Sequence, residues 1–152
     1  MSDAVSDAVS DGATGSLPDR MPPTLVIVDD EVDHAAIIQH LIGDMAPRLP
    51  VEVMTDAVDL LERLTAVPEH ALVLLDRLIE GREVYGVLTE LRAARPDLTL
   101  AVLSAALSEE DRQRALRAGA DHAAQKPGSL ADWRALLRSL LHLSEDRRGA
   151  VA

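Results

Sequence analysis

Two hydrophobic rhythms alternate along the chain. Short β-rich runs stand at "TLVIV" (24–28), "VEVM" (51–54), "ALVLL" (71–75), "TLAVL" (99–103) and, more weakly, "HAAQ" (122–125). The first, third and fourth are apolar without alternation, the pattern of strands covered on both faces in a parallel sheet. Between the runs, apolar residues return every three or four positions, as one face of a helix requires. Ile37, Ile38, Leu41, Ile42 and Met45 form the first such stripe. Leu60, Leu61 and Leu64 form the second, and Val87, Leu88 and Leu91 the third. Leu130, Trp133, Leu137, Leu140 and Leu141 form the last. Asp56, Ser108 and Ser129 are the expected N-caps of the second, fourth and fifth helices. Pro96 follows the third helix, and Gly119 ends the fourth.

The order is thus β then α, five times. Right-handed crossovers turn it into an α/β fold, a doubly wound (βα)5 five-stranded parallel sheet with helices on both faces. Residues 1–23 carry an SDAV repeat, then Gly, Ser and Pro, and are expected to be a disordered N-terminal arm. The fold is expected over 24–143, with 144–152 as a flexible C-terminal tail.

Composition narrows the function. A net charge of −11 disfavours contact with nucleic acid or anionic lipid. One Trp, one Tyr and no Phe leave no aromatic platform for bases. No cysteine is present, so thiolate metal sites are excluded. No run is long and apolar enough to span a bilayer, and no signal peptide is expected, which together suggest a cytoplasmic protein. Fourteen of the 15 basic residues are Arg, and the other is Lys126.

In a sheet of this kind the working site lies beyond the carboxyl ends of the strands. Asp29, Asp30 and Glu31 follow the first strand and Asp76 the third. Ser104 follows the fourth, and Lys126, with Pro127 next, follows the fifth. Taken singly, each has an ordinary explanation: a helix cap, a turn hydroxyl, a solvated charge. Taken together, the fold brings them all to one rim. Two carboxylates about 4 Å apart repel by ~4 kcal/mol at an effective dielectric near 20, so such a cluster needs a cation. All-oxygen ligands favour Mg²⁺ or a relative. An aspartate beside Mg²⁺ and a lysine can attack phosphorus as a nucleophile. The arrangement reads as phosphoryl transfer onto Asp76.

With these residues the chain resembles the receiver domain of bacterial two-component response regulators, of flavodoxin-like fold, over about residues 24–143. The matching motifs are "VIVDDE", "LVLLD", "VLSA" and "KP". The resemblance implies that Asp76 is the phosphoacceptor, supplied by a histidine kinase or histidine phosphotransfer protein. It implies Mg²⁺ held by Asp30, Asp76 and the carbonyl of Leu78, with Asp29 acting mainly through water. Ser104 would report the phosphate, Lys126 would pair with it, and Ala105 would keep the approach open. The output surface would be the fourth helix, fifth strand and fifth helix, contacting a downstream protein or a second copy. Trp133 is a candidate anchor there or a core residue. With only nine residues after Leu143, a single-domain regulator is expected.

The chain departs from the family pattern at three places. Glu80 stands where a proline is usual, Val84 where a glycine is common, and Ala123 where an aromatic switch residue normally sits. The fourth helix carries few large apolar residues, so weak docking is expected there. Leu78 and Ala106 are apolar and would not orient an attacking water, which predicts slow loss of the phosphoryl group. Two other readings share the motifs. "VIVDDEV" is close to the nucleophile motif of haloacid-dehalogenase-like phosphatases, although Glu31 stands where that family wants Asp. A receiver-like scaffold that is never phosphorylated is the other.

Overall fold

The computed structural model describes residues 15–151. Its elements run in the order β1 (Leu25–Val28), α1 (Val32–Met45), β2 (Val51–Met54), α2 (Leu60–Thr65) and β3 (Leu72–Asp76). A hairpin of β4 (Leu78–Ile79) and β5 (Arg82–Glu83) follows. Next come α3 (Tyr85–Ala94), β6 (Thr99–Ser104), α4 (Glu109–Ala118), β7 (His122–Gln125) and α5 (Leu130–Val151). The main sheet is parallel in every pairing, with strand order β2-β1-β3-β6-β7. Chain order reverses between β1 and β3, and this opens a crevice above their carboxyl ends.

Side chains of successive strand residues point to opposite faces, so the apolar runs feed two cores at once. Val26, Val28, Val73, Leu75, Leu100 and Val102 pack with α2 and α3 residues such as Leu60, Leu64, Leu88 and Leu91. Leu25, Ile27, Leu72, Leu74, Ala101 and Leu103 pack with Ile38, Leu41, Leu137 and Leu141 of α1 and α5. Trp133 belongs to this second core and is 3% exposed, so it packs the interior and offers no anchor to a partner.

Three local expectations need correction. Asp56 does not cap α2: its carboxylate accepts from Val58 N and Arg63, closing a turn, and Asp59 is the N-cap residue. The segment 144–152 is not a free tail, because α5 continues to Val151. Ser144 is buried, and Arg147 donates to Pro96 O and pairs with Asp121. The described part of the arm, 15–23, is also docked. Leu17 and Met21 pack against the second core, Arg20 N donates to Glu145 Oε2 (2.8 Å), and Arg148 donates to Met21 O. The rest of the arm lies outside the described residues. The β4–β5 hairpin was not anticipated at all. By contrast, Ser108 and Asp111 form a full capping box on α4, and Ser129 Oγ accepts from Asp132 N at the start of α5.

Candidate phosphoryl-transfer site

The strand ends place the anticipated residues together. Asp29 is held at the end of β1 by Asp29 N→Met54 O (3.0 Å), and its Oδ1 accepts from Glu31 N (2.8 Å). Its other oxygen accepts from Lys126 Nζ at 2.8 Å. Lys126 is fixed from β6 by Lys126 N→Ser104 O (2.7 Å). The same ammonium donates to Asp76 Oδ2 at 3.1 Å, so residues from β1, β3 and the end of β7 meet at one nitrogen. Its third contact, at 2.8 Å, is His34 Nδ1 on α1. Lysine can only donate, so the imidazole nitrogen is the acceptor there, and all three ammonium protons are engaged.

Asp29, Asp76 and Lys126 are buried, and Asp30 is half-buried. Burial pushes the Asp76 carboxyl above its ordinary value, against the pull of Lys126. Burial would lower Lys126, but its bonds to Asp29 and the charge of Asp76 outweigh this and raise it. Asp29, Asp30 and Asp76 each offer an oxygen within 4.8 Å of the others. One ammonium cannot neutralise three carboxylates. The donor set is all oxygen and mostly buried, which fits a hard divalent cation. Asp29, Glu31 and His34 also cluster, with Lys126 Nζ among them.

Ser104 and Ala105 line the same pocket of about 370 Å³, with Asp30, Asp76, Arg77 and Leu78. Ser104 Oγ donates to Ala106 O (2.8 Å) and accepts from Arg77 Nε (3.3 Å). Every site residue named from sequence therefore lies at this rim. Three others were missed. His34 reads in sequence as one more polar residue on a helix. Arg77 reads as a charge just past a strand. Glu80 was noted only as a departure, yet its backbone N–H donates to Asp30 Oδ2 (2.9 Å) and its Oε1 accepts from Ala57 N (2.9 Å).

Residues 25–138 match the family model described as "Response regulator receiver domain". The chain belongs to the response regulator receiver family. That membership displaces the phosphatase alternative. The chain is 35% identical over 130 residues to the transcriptional regulatory protein PrrA of Mycobacterium leprae (86% of this chain, 53% of that protein). It is also 35% identical to the probable transcriptional regulator ycf27 of Cyanophora paradoxa (80% and 49%). It thus spans about half the length of the curated relatives it matches. Among solved structures, the CheY-like receiver domain protein from Methanospirillum hungatei superposes with a TM-score of 0.68 at 22% identity, covering 82% of this chain and 98% of that one. The receiver fold is therefore seen both in the family match and in three dimensions. Among the described residues no helix is long and apolar enough to cross a membrane.

Proposed function

We propose that this receiver domain accepts a phosphoryl group on Asp76 from a histidine kinase or histidine phosphotransfer protein and signals by protein contact. The observation that carries the reading is the meeting of Asp29, Asp76 and Lys126 at 2.8 and 3.1 Å above the sheet's switch point. An Asp76 carboxylate oxygen attacks phosphorus, and the phosphorus–nitrogen bond of the donor breaks. Its electron pair goes to the imidazole nitrogen, which takes a proton, and Asp76 becomes an acyl phosphate.

Asp29, Asp30, Asp76 and the Leu78 carbonyl are the groups that would hold Mg²⁺, Asp29 mainly through water. When bound, the ion supplies positive charge to the phosphoryl oxygens and offsets the crowded carboxylates. Lys126 would leave Asp76 Oδ2 for a phosphoryl oxygen. Ser104 would turn its hydroxyl from Ala106 O to the same group, and the small Ala105 leaves the approach open.

The output surface in this reading is α4, β7 and α5, facing a downstream protein or a second copy. Only Ala115 of α4 is fully buried, which supports a helix able to shift. Transcriptional control is what the relatives' names describe. With a net charge of −11, this chain is suited to protein partners, with no nucleic acid or membrane surface among them.

Incubation with phosphoramidate and Mg²⁺ tests it. One phosphoryl group should appear by intact mass, vanish in Asp76→Asn, and be suppressed by chelation. A folded wild-type protein that takes up none would favour the scaffold reading.

A further inference from the structure

Arg77 follows Asp76 directly and lines the pocket into which Asp76 opens. Its backbone is fixed at both ends, by Arg77 N→Leu103 O (2.9 Å) and Val84 N→Arg77 O (2.9 Å). Its side chain is mostly covered, 16% exposed, so the guanidinium is confined near the site. Its contacts with Ser104 and Glu83 are long: Nε to Ser104 Oγ at 3.3 Å and Nη1 to Glu83 Oε2 at 3.5 Å. A guanidinium has five donors, and N–H···O bonds prefer about 2.9 Å, so Arg77 is loosely held with donors to spare. A phosphoryl group would place roughly −1.5 to −2 charges beside it. Arginine binds phosphate through charge-assisted, often bidentate bonds about twice as strong as neutral ones. Such a group outcompetes a hydroxyl and a single distant carboxylate.

Release of Arg77 from its present partners reaches α4 by a continuous route. Glu83, on the hairpin, also pairs with Arg114 of α4 (3.3 Å). Arg114 lies 4.3 Å above the Tyr85 ring, and Tyr85 OH donates to Asp111 O in the first turn of α4 (3.5 Å). Arg77 is itself a neighbour of the Tyr85 phenol. That phenol is pushed up by burial, further by Asp111, and down by Arg77. Ala123 belongs to the same buried cluster as Tyr85 and Ala115, so within that cluster the ring comes from Tyr85 of α3 and Ala123 of β7 supplies none.

We propose that Arg77 is a second cationic ligand of the phosphoryl group on Asp76, and that its transfer from Ser104 and Glu83 carries the signal to α4 through Tyr85 and Arg114. This rests on phosphorylation of Asp76 as proposed above. It assigns the coupling role to α3 and the hairpin, where Ala123 has no ring to supply.

The test compares wild type, Arg77→Gln, Arg77→Lys and Tyr85→Phe for phosphoramidate uptake and for hydrogen exchange with and without beryllofluoride and Mg²⁺. Wild type should change exchange over Glu109–Ala118 by about threefold or more. Arg77→Gln should take up phosphate about tenfold more slowly, the loss of one charge-assisted bond, and lose the α4 response. Arg77→Lys should recover most of the uptake because it keeps the charge. Tyr85→Phe, which leaves the pocket intact, should be modified at the wild-type rate but lose the α4 response. Wild-type rate and wild-type exchange in Arg77→Gln would overturn this inference alone. No uptake by the wild type would overturn it together with the phosphoacceptor reading.

Discussion

The backbone N–H of Glu80 donates to Asp30 Oδ2 at 2.9 Å. The proline usual in the family at this position has no N–H and could not make that bond. Glu80 also sits at φ +52°, and Gly81 at +77°. Together they form the two-residue turn between β4 and β5, with both φ positive as a type I′ hairpin requires. A left-handed conformation costs a non-glycine residue roughly 1–2 kcal/mol. The bonds from Glu80 to Asp30 and Ala57 offset this and tie a candidate metal ligand to the loop before α2.

Glu80→Pro should therefore do harm although it restores the family residue. Its φ near −65° cannot fit, and the Asp30 bond is lost. A drop in thermal stability and weaker Mg²⁺ binding by calorimetry are expected, while Glu80→Gln keeps both near wild type. A proline variant that binds Mg²⁺ as tightly as wild type contradicts the assignment.

The phosphoryl group should be lost slowly. Leu78 and Ala106, which flank the pocket beside Asp76, are apolar and cannot orient water by a side-chain hydrogen bond. After donor removal, intact mass should show a decay half-life well beyond seconds, shortened in Leu78→Asn. Decay within seconds in the wild type refutes this.

Acid stability should depend on Asp97. Arg95 grips its carboxylate in two bonds, 3.0 and 2.9 Å, and His70 N donates a third at 2.8 Å. The Arg95 guanidinium holds the Asp97 carboxyl well below its ordinary value of 3.8. A depressed carboxylate stabilises the fold fully above its unfolded pKa. That contribution fades as pH falls below about 3.8 toward the folded value. Asp97→Asn should lower stability at neutral pH by about 1–3 kcal/mol and flatten the decline below pH 4. Denaturant titrations across that range decide it; parallel curves for the two proteins would count against the pairing.

Removing residues 144–152 should destabilise the domain. Arg147 pairs with Asp121 and donates to Pro96 O, and Asp121 Oδ2 accepts from Leu100 N. A truncated protein melting at the wild-type temperature would show that the end of α5 contributes nothing.

That segment and the β4–β5 hairpin show where sequence reading stops. "SEDRRGAVA" has no apolar stripe, so its helix is invisible to periodicity. It is held by Arg147 bonding to carbonyls and an aspartate far along the chain. The hairpin was hidden because its strands are two residues long and Glu80 is an uncommon left-handed residue. The five main strands were legible because three are unbroken apolar runs bounded by polar residues. The Asp29, Asp76 and Lys126 cluster was legible because parallel topology sends every strand end to one rim. Arg77, His34 and the Glu80 N–H act through distances, which no spacing of letters encodes.

The central claim is that Asp76 itself carries the phosphoryl group. Borohydride reduction of the protein after phosphoramidate and Mg²⁺ treatment, followed by peptide sequencing by mass spectrometry, reads the modified residue directly. Conversion to homoserine at position 76 alone is the predicted result. Conversion at position 29 or 30, or at none, would contradict it.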